Sequence, residues 1–249
     1  MATFYIKKSQ IDNNKIIISD DDLHHIKDVL RLKCGEEIEF YDEDEVRYTC
    51  KLAEYRDKTA LFNIEDIQKV SIELPVNITL YQGLPKSDKM EFIIQKGTEL
   101  GLNTVVPVVM DRSITKLDNK NFESKKVRWE KIAKEAASQS RRQHIPQIYH
   151  YINFENIIEN VQKYDIVLLP YENENNVSLK DAIKTYKDNG NIIKNIAIII
   201  GPEGGFSQEE INKISNIENV KIVTLGKRIL RTETAGISAI SMLVYEFEL

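Results

Sequence analysis

Cysteine is scarce in this chain of 249 residues, and its two examples, Cys34 and Cys50, are too few for a disulfide framework or a cysteine-rich metal site. Long apolar runs are also missing, because charged residues interrupt every candidate before it could span a bilayer. The first ten residues, MATFYIKKSQ, lack the charged and then apolar layout of a secretory signal. These absences predict a soluble, cytoplasmic protein with buried, reduced thiols, no metal and no membrane partner.

The net charge of −5 weighs against a nucleic-acid partner, but this charge is unevenly distributed along the chain. Residues 84–145 carry 13 Lys or Arg against 8 Asp or Glu, so the remainder is strongly acidic. A basic surface on an acidic protein can still bind a polyanion such as RNA. The same charges also fit a solvated helix face, and the sequence leaves both interpretations open.

Two regions of different pattern meet near residue 73. Residues 1–72 contain short β-branched and aromatic runs separated by turn-like or acidic clusters, which predicts a small β-barrel or β-sandwich. Residues 73–249 alternate strands and helices, and the apolar runs DIVLLP, NIAIII and VKIVTL are typical of parallel strands covered on both faces. We therefore predict a β-barrel or β-sandwich domain over 1–72 and an α/β domain with an open parallel sheet over 73–249.

Several local patterns predict individual elements. In the first region SDDDLHHIKDVLRL predicts one helix, with Leu23, Ile26, Val29 and Leu30 on its apolar face. In the second region SDKMEFIIQKGTELG predicts a helix that Ser87 caps and Gly101 ends. Pro107, inside the strand TVVPVVM, predicts a sheet edge or an interrupted ladder. A long helix over about 123–142 places Trp129 on its apolar stripe, and a last helix starts at Thr232.

The glycine-rich stretch GPEGGFSQEE, residues 201–210, lies between a predicted strand and a predicted helix. It is not a phosphate-binding P-loop, because no lysine follows the glycines and Glu203 would repel a phosphate. Its glycine spacing also differs from the dinucleotide fingerprint. Ser207 and Glu210 form a capping box, so the helix start satisfies its own N–H groups. Two interpretations of this stretch remain: it is a tight connection without a ligand, or it is a loop that approaches an uncharged or cationic ligand.

Two further loops favour a ligand site. LGKRILRTETAGISAI follows the strand VKIVTL and carries Lys227, Arg228 and Arg231, and LLPYENE adds Glu172 after DIVLLP. In open α/β sheets ligands bind outside the carboxyl ends of the strands. Three unusual loops at strand ends therefore predict a shared site at one edge of the sheet.

GPEGGFSQEE together with LGKRILRTETA resembles the C-terminal signature of the RsmE family, the 16S ribosomal RNA uridine-N3 methyltransferases of the SPOUT superfamily. The resemblance extends over nearly the whole chain. HHIKDVLRLKCGEEIEFYD is similar to the PUA-like barrel of the family, and KMEFIIQKGTELGLNTVVPVVMDRS and RWEKIAKEAASQSRRQHIPQI are similar to its central segments. This chain departs from the pattern at Asp111, where the family usually has glutamate, and at Arg141, where it usually has glycine.

The resemblance implies a PUA-like barrel that positions RNA, followed by a SPOUT-type parallel sheet with a C-terminal trefoil knot. It implies a homodimer that binds S-adenosylmethionine, methylates 16S ribosomal RNA of the small subunit and uses no metal. A donor without phosphate fits a glycine loop that holds a carboxylate. The family positions assign donor binding to Leu169, Pro170, Gly201, Glu203, Gly204, Gly205, Leu225, Gly226, Ile229, Leu230, Thr232, Thr234 and Ala235.

Methylation of uridine N3 removes an imide proton and spreads negative charge onto the ring carbonyls, so a base and a cation are needed. Glu172 and Glu203 are the candidate bases; Arg231 and Arg142 are the candidate cations, with Arg112 in reserve. Candidate RNA contacts are Arg31, Lys86, Lys96, Arg112, Arg142 and Arg228. For Arg231, Arg142 and Arg112 the alternative to a catalytic role is a structural ion pair or a phosphate contact. The alternative functions are a SPOUT methyltransferase of another ribosomal or transfer RNA nucleotide, and a non-catalytic RNA-binding protein.

Overall fold

The computed structural model describes residues 3–42, 44, 46–69, 72–114 and 119–248. The chain divides into two compact units, Met1–Glu73 with Ala137–His144, and Leu74–Ala136 with Ile145–Leu249. The division after Glu73 lies one residue from the expected domain boundary. The sequence did not predict that Ala137–His144 belong to the first unit, because no local pattern distinguishes these residues from the helix before them.

The first unit is built on a six-stranded sheet. Its strands are β1 (Thr3–Tyr5), β2 (Ile11–Asp12), β3 (Lys15–Ile18), β4 (Glu37–Tyr41), β5 (Val46–Arg56) and β6 (Thr59–Lys69), and the helix α1 (Asp20–His24) follows β3. The strand order is β1-β4-β5-β6-β3-β2, with only the β1–β4 pair parallel. Alternate side chains point to one face, and Phe40 and Phe62 pack there edge to face with ring centres 4.9 Å apart. This sheet agrees with the predicted β-rich first domain.

The predicted single helix of this unit is divided. After α1, residues His25–Val29 form a π-helical turn, in which each turn contains more residues than in an α-helix. Ile26 is buried as expected, but Val29 is 61 % and Leu30 39 % exposed. The predicted apolar face was wrong at these two positions because the wider turn rotates them out of the 3.6-residue repeat. Cys50 is buried, and burial raises the pKa of its thiol to about 12, whereas Cys34 is exposed, contrary to the expectation.

The second unit is a parallel α/β fold. Its strands are β7 (Asn77–Gly83), β8 (Thr104–Val109), β9 (Gln147–Ile148), β10 (Ile152–Asn153), β11 (Ile166–Pro170), β12 (Asn195–Ile200) and β13 (Val220–Val223). Its helices are α2 (Lys89–Glu99), α3 (Asn119–Gln139), α4 (Phe154–Asn160), α5 (Leu179–Asp188), α6 (Gln208–Ile214) and α7 (Thr232–Glu248), and the last three residues of α3 belong to the first unit.

All strand pairs in the second unit are parallel, in the order β10-β8-β7-β12-β11-β13, with β9 beside β8. Val167, Leu168 and Leu169 of β11 are all fully buried, because apolar side chains cover both faces of the sheet. The predicted parallel sheet is thereby confirmed. The trefoil knot stays a prediction, since strand order does not define how the chain threads.

Three local predictions of the second unit can be compared with its geometry. Gly101 ends α2 with a φ of +97°, as expected, but Asp88 and not Ser87 precedes the helix, and no side chain caps it. Pro107 interrupts a ladder: β9 pairs with Thr104 and Val105, β10 pairs with Val108 and Val109, and Pro107 lies in the gap. Trp129 is buried in the core as predicted.

In the described part of the chain no helix is long and apolar enough to cross a membrane.

Candidate active site

The loops that follow β11, β12 and β13 line one cavity of about 500 Å³ in the second unit. Since β11 lies between β12 and β13 in a parallel sheet, their carboxyl ends are neighbours. The structure thus brings the three predicted loops together. Predicted site residues that line the cavity are Pro170, Glu172, Gly201, Glu203, Gly204, Gly205, Leu225, Gly226, Arg228, Ile229, Leu230, Arg231, Thr232 and Ala235.

Two predicted donor residues do not line the cavity. The side chain of Leu169 is fully buried in the core, so it cannot reach the cavity, and Thr234 is exposed on α7. Of the lining residues that the sequence did not assign to the site, Lys89 lies outside the three predicted loops: it is the first residue of α2, in a strand-to-helix segment that carries no glycine motif. A cation at a helix N-terminus opposes the helix dipole, and this local conflict is the sequence signal that could have indicated it.

A buried hydrogen-bond network forms the floor of the cavity. Thr232 Oγ1 donates to the carbonyl oxygen of Gly201 at 2.6 Å and accepts from Gln82 Nε2 at 2.8 Å. Gln82 Nε2 also donates to the carbonyl oxygen of Gly83 at 3.0 Å. Both side chains are buried, and Gln82 Oε1 finds no hydrogen-bond partner among the described residues. The network therefore connects the ends of β7 and β12 to the start of α7.

Gly83 packs closely against the backbone of Gly201 and Pro202 at this floor. We therefore expect Gly83→Ala to destabilise the second unit. A Cβ at Gly83 would lie 2.6 Å from the nitrogen of Pro202 and 2.9 Å from the carbonyl carbon of Gly201, so the glycine loop itself would have to move. Such overpacking lowers the free energy of unfolding by about 2 kcal/mol. Urea unfolding followed by the fluorescence of Trp129, the single tryptophan, measures the loss.

Gly236→Ala is the matched control for this change. Gly236 lies within α7, and its added Cβ would meet its nearest atom, Gln82 Oε1, at an ordinary 3.4 Å. Alanine should therefore keep or raise stability, by up to about 1 kcal/mol, because it is the better helix former. Equal stabilities for Gly83→Ala and the wild type would contradict the account of the floor.

The segment that follows β8 supports the glycine loop from behind. Arg112 Nη1 donates to the carbonyl oxygen of Gly204 at 3.0 Å, and a Cβ at Gly204 would lie 2.9 Å from Arg112 Cβ. Asp111 accepts from Ser207 Oγ at 2.5 Å, so the shorter acidic side chain of this sequence still reaches the loop. Ser207 and Glu210 form the predicted capping box. Arg112 thus holds the loop, and its contact with RNA stays a prediction.

The two candidate bases have different environments. Glu203 Oε1 accepts a hydrogen bond from the backbone N–H of Lys86 at 3.0 Å and forms an ion pair with Lys89 Nζ, also at 3.0 Å. Against the effect of burial, these two donors hold the pKa of the Glu203 carboxyl below its usual range. Glu172 is exposed, and a Cβ at Gly205, whose φ is +67°, would lie 3.3 Å from Glu172 Oε1. No hydrogen bond or ion pair with the described residues holds the carboxylate of Glu172, so it is free to meet a ligand, and its role as a base stays a prediction.

Three cations surround the mouth of the cavity on the loop after β13. Lys227, Arg228 and Arg231 are exposed and line the cavity, and none forms an ion pair within the described part of the chain. Ile229, between them, is 88 % exposed. The loop therefore presents free positive charge at the opening, where an anionic ligand would pass.

Arg142 does not agree with its predicted roles. It belongs to the first unit, does not line the cavity and is only 4 % exposed. Arg142 Nε donates to Glu73 Oε2 at 3.1 Å, and Glu73 Oε1 accepts from the backbone N–H groups of Gln143 and His144, both at 3.1 Å. A buried, paired guanidinium is not available to a substrate, so the structural ion pair replaces the predicted catalytic and RNA-binding roles.

We expect Glu73→Gln to loosen the first unit strongly. Removing one charge of a buried pair leaves the other uncompensated, which costs about 3 kcal/mol, or roughly 100-fold faster amide exchange in β5 and β6. Hydrogen exchange followed by mass spectrometry measures this effect. The control is Glu37→Gln, which breaks an exposed ion pair with Lys51 (3.5 Å) and should cost less than about 1 kcal/mol. Similar effects of the two changes would contradict the assignment.

The remaining candidate RNA contacts differ in their pairing. Arg31, in the first unit, and Lys86 and Arg228, in the second, are exposed. Lys96 Nζ instead donates to Glu99 at 2.7 Å. Three basic side chains of α3 also have acidic partners, in the pairs Lys126–Glu130, Arg128–Glu91 and Lys131–Glu135. This pairing favours a solvated face for α3.

Among the described residues, no group of three or more His, Cys, Asp or Glu side chains is placed to hold a metal ion.

Comparison with known proteins gives the same relatives for the sequence and the fold. A family model described as an RNA methyltransferase domain matches residues 72–244, and one described as an RNA methyltransferase PUA domain matches residues 18–65. The chain is 36 % identical to ribosomal RNA small subunit methyltransferase E of Bacillus subtilis, over 100 % of this chain and 98 % of the relative.

Two solved structures resemble the whole chain. A ribosomal RNA small subunit methyltransferase E from Neisseria gonorrhoeae, bound to S-adenosyl methionine, has a TM-score of 0.82 and 27 % identity, and the match covers 99 % of this chain and 98 % of the other. A protein from Legionella pneumophila in complex with the bound cofactor SAM has a TM-score of 0.85 and 28 % identity, with 98 % and 97 % covered.

Proposed function

Since the chain belongs to the RNA methyltransferase family of the ribosomal RNA small subunit methyltransferases E, we propose that it transfers a methyl group from S-adenosylmethionine to N3 of a uridine in 16S ribosomal RNA. The observation that carries the proposal is the single cavity lined by both signature loops, GPEGG and LGKRILR. The small ribosomal subunit, in the cytoplasm, is then the partner.

The residues of the cavity fit this donor. A volume of about 500 Å³ suits a ligand of nucleoside size, and the backbone of the glycine loop can approach closely because its glycines carry no side chains. Gly201, Gly204, Leu225, Gly226 and Leu230 would hold the donor. Glu203 belongs to the glycine loop and Glu172 lies beside Gly205 of the same loop, so their carboxylates would repel a phosphate at the place where the donor is proposed to bind. When bound, S-adenosylmethionine supplies an electrophilic methyl group on a sulfonium cation.

Glu172 and Arg231 supply the acid–base chemistry in this proposal. Glu172, exposed at the cavity and free of partners among the described residues, takes the imide proton from N3. Arg231, at the start of α7, stabilises the negative charge that moves onto the uracil carbonyl oxygens. Glu203 is held by Lys86 and Lys89 and keeps the glycine loop in place.

RNA would approach over the cations at the mouth of the cavity. Arg228 and Lys86 bind phosphate in this arrangement, and Arg31 contributes from the PUA-like unit.

The family resemblance also supports a knotted fold and a homodimer. Exposed apolar side chains on the packed pair of helices α2 and α7, namely Phe92, Met242 and Tyr245, offer a surface for a second copy. Sedimentation of the purified chain measures its oligomeric state.

Two measurements test the proposed function. Calorimetry with S-adenosylmethionine distinguishes an enzyme from a non-catalytic RNA-binding protein, because the latter would show no binding even at millimolar donor. Mass mapping of ribosomal RNA from a deletion strain then tests the target. We expect N3-methyluridine to disappear from 16S RNA and to return with the wild-type gene. Loss of a different methylated nucleotide would favour the alternative target, and unchanged RNA would refute the substrate.

A further inference from the structure

Lys89 joins three separate segments at the edge of the donor cavity. It is the first residue of α2 and lines the cavity. Lys89 Nζ lies 3.0 Å from Glu203 Oε1, in the glycine loop, and 3.1 Å from Glu233 Oε2, in the first turn of α7. We call this group the Lys89 bridge. It is the ion pair that connects the two signature loops within the described residues.

The position of Lys89 conflicts with local helix preferences. Positive charge in the first turn of a helix opposes the helix dipole, which favours carboxylates there. The two glutamates offset this cost, because both carboxylates form ion pairs with the same ammonium group. The hydrogen bond to Glu203 is the main cause that raises the pKa of Lys89 above its usual range, and the Glu233 contact adds to it. A local conflict resolved only by long-range partners is typical of a functional position.

The bridge complements the buried floor of the cavity. On the floor, Thr232 Oγ1 already links α7 to the carbonyl oxygen of Gly201. At the edge, Glu203 accepts a further hydrogen bond from the backbone of Lys86, so the segment before α2 also holds the glycine loop. The floor keeps the strands and α7 together, whereas the bridge fixes the parts of both loops that face the ligand. Loss of Lys89 should therefore loosen the loops without unfolding the sheet.

We propose that Lys89 is a positioning residue, which fastens the glycine loop to the start of α7 so that the donor cavity is formed before the donor binds. The inference rests on the proposed function, since the ligand that benefits is S-adenosylmethionine. A preformed site binds more tightly because the loops lose less conformational freedom on binding. In the free protein the bridge also couples the two loops, so a substitution in α7 changes the hydrogen exchange of the glycine loop.

The test compares four single variants, and one double variant that combines Lys89→Met with Glu233→Gln, with the wild type. Lys89→Met removes the charge, Lys89→Arg keeps it, and Glu233→Gln weakens one arm of the bridge. Lys213→Met is the matched control, because Lys213 Nζ also lies between two carboxylates, those of Glu155 (3.2 Å) and Glu209 (2.9 Å), but does not line the cavity. Circular dichroism and the fluorescence of Trp129 verify that each variant is folded.

Hydrogen exchange in the free protein is the first measurement. We expect Lys89→Met to speed exchange about tenfold in residues 201–207 and 226–233, while Lys89→Arg restores most of the protection and Lys213→Met has no effect on either segment. Glu233→Gln should speed exchange in the glycine loop of the wild type but add nothing in the Lys89→Met background, because the bridge that couples the loops is already lost.

Calorimetry with S-adenosylmethionine is the second measurement. We expect about tenfold weaker donor binding for Lys89→Met and near wild-type binding for Lys89→Arg. Unchanged exchange in Lys89→Met, equal effects of Lys213→Met, or no rescue by arginine would each overturn the positioning role. If the wild type fails to bind the donor while the exchange pattern is as expected, the proposed function fails and the bridge stands. If the wild type binds and Lys89→Met binds equally well, the bridge fails alone.

Discussion

Arg231→Ala is expected to lower kcat about 100- to 1,000-fold and to leave the Kd of the donor nearly unchanged. The guanidinium of Arg231 is exposed, lines the cavity and forms no ion pair with the described residues, so its charge is free to meet the substrate. Its proposed contact is with the charge that develops on the uracil carbonyls, which exists only in the transition state. Single-turnover transfer of labelled methyl groups to RNA measures kcat, and calorimetry measures donor affinity.

Arg228→Ala is the control from the same loop. Arg228 is also exposed, and its proposed partner is a phosphate group, which carries its charge in the ground state as well. This variant should raise the KM for RNA and lower the salt dependence of binding by about one unit of slope, with little change in kcat. Equal losses of kcat in both variants would show a general effect of positive charge, and an unchanged rate for Arg231→Ala would remove it from the catalytic residues.

Glu172→Gln is expected to lower kcat about 100-fold or more, because a positioned base contributes that much to proton removal. Glutamine has nearly the same shape but cannot accept the imide proton, so donor affinity should stay close to that of the wild type. Glu172 is favoured over Glu203 because its carboxylate is exposed and has no partner among the described residues. Rates measured at saturating donor and RNA isolate this step.

Glu203→Gln should show the opposite pattern, with weaker donor binding and a smaller loss of kcat. Its carboxylate is bound by Lys86 and Lys89, and its pKa lies below the usual range. A carboxyl with a lowered pKa stabilises the folded loop above its unfolded pKa, and this contribution is lost only as the pH falls through the lowered value. Donor binding that depends on Glu203 should therefore persist through mildly acidic pH. A larger loss of kcat for Glu203→Gln than for Glu172→Gln would reverse the assignment of the base.

Local chemistry was enough to predict the main elements of the second unit. The continuous apolar runs indicated buried parallel strands, and Ser207 with Glu210 indicated the start of α6, because these patterns depend on neighbours along the chain. Strand ends of a parallel sheet meet at one edge, so the shared position of the three loops also followed from the sequence. The expected helix cap at Ser87 failed, since the chain before α2 instead turns toward the glycine loop.

The sequence by itself determined the fold class, the loops of the site and the absence of a phosphate-binding pattern, because each depends on residue type, spacing and charge. Only the tertiary structure decided which charged side chains are free. Arg142 is bound by Glu73 across 69 residues, and Lys89 meets Glu203 and Glu233 from 114 and 144 residues away. A carboxylate or guanidinium has the same chemistry in every sequence, but its burial and its partners come from distant segments. Those partners separate Glu172 and Arg231, which have no ion pair among the described residues and which we propose act on the substrate, from Glu203 and Arg142, which are held in ion pairs.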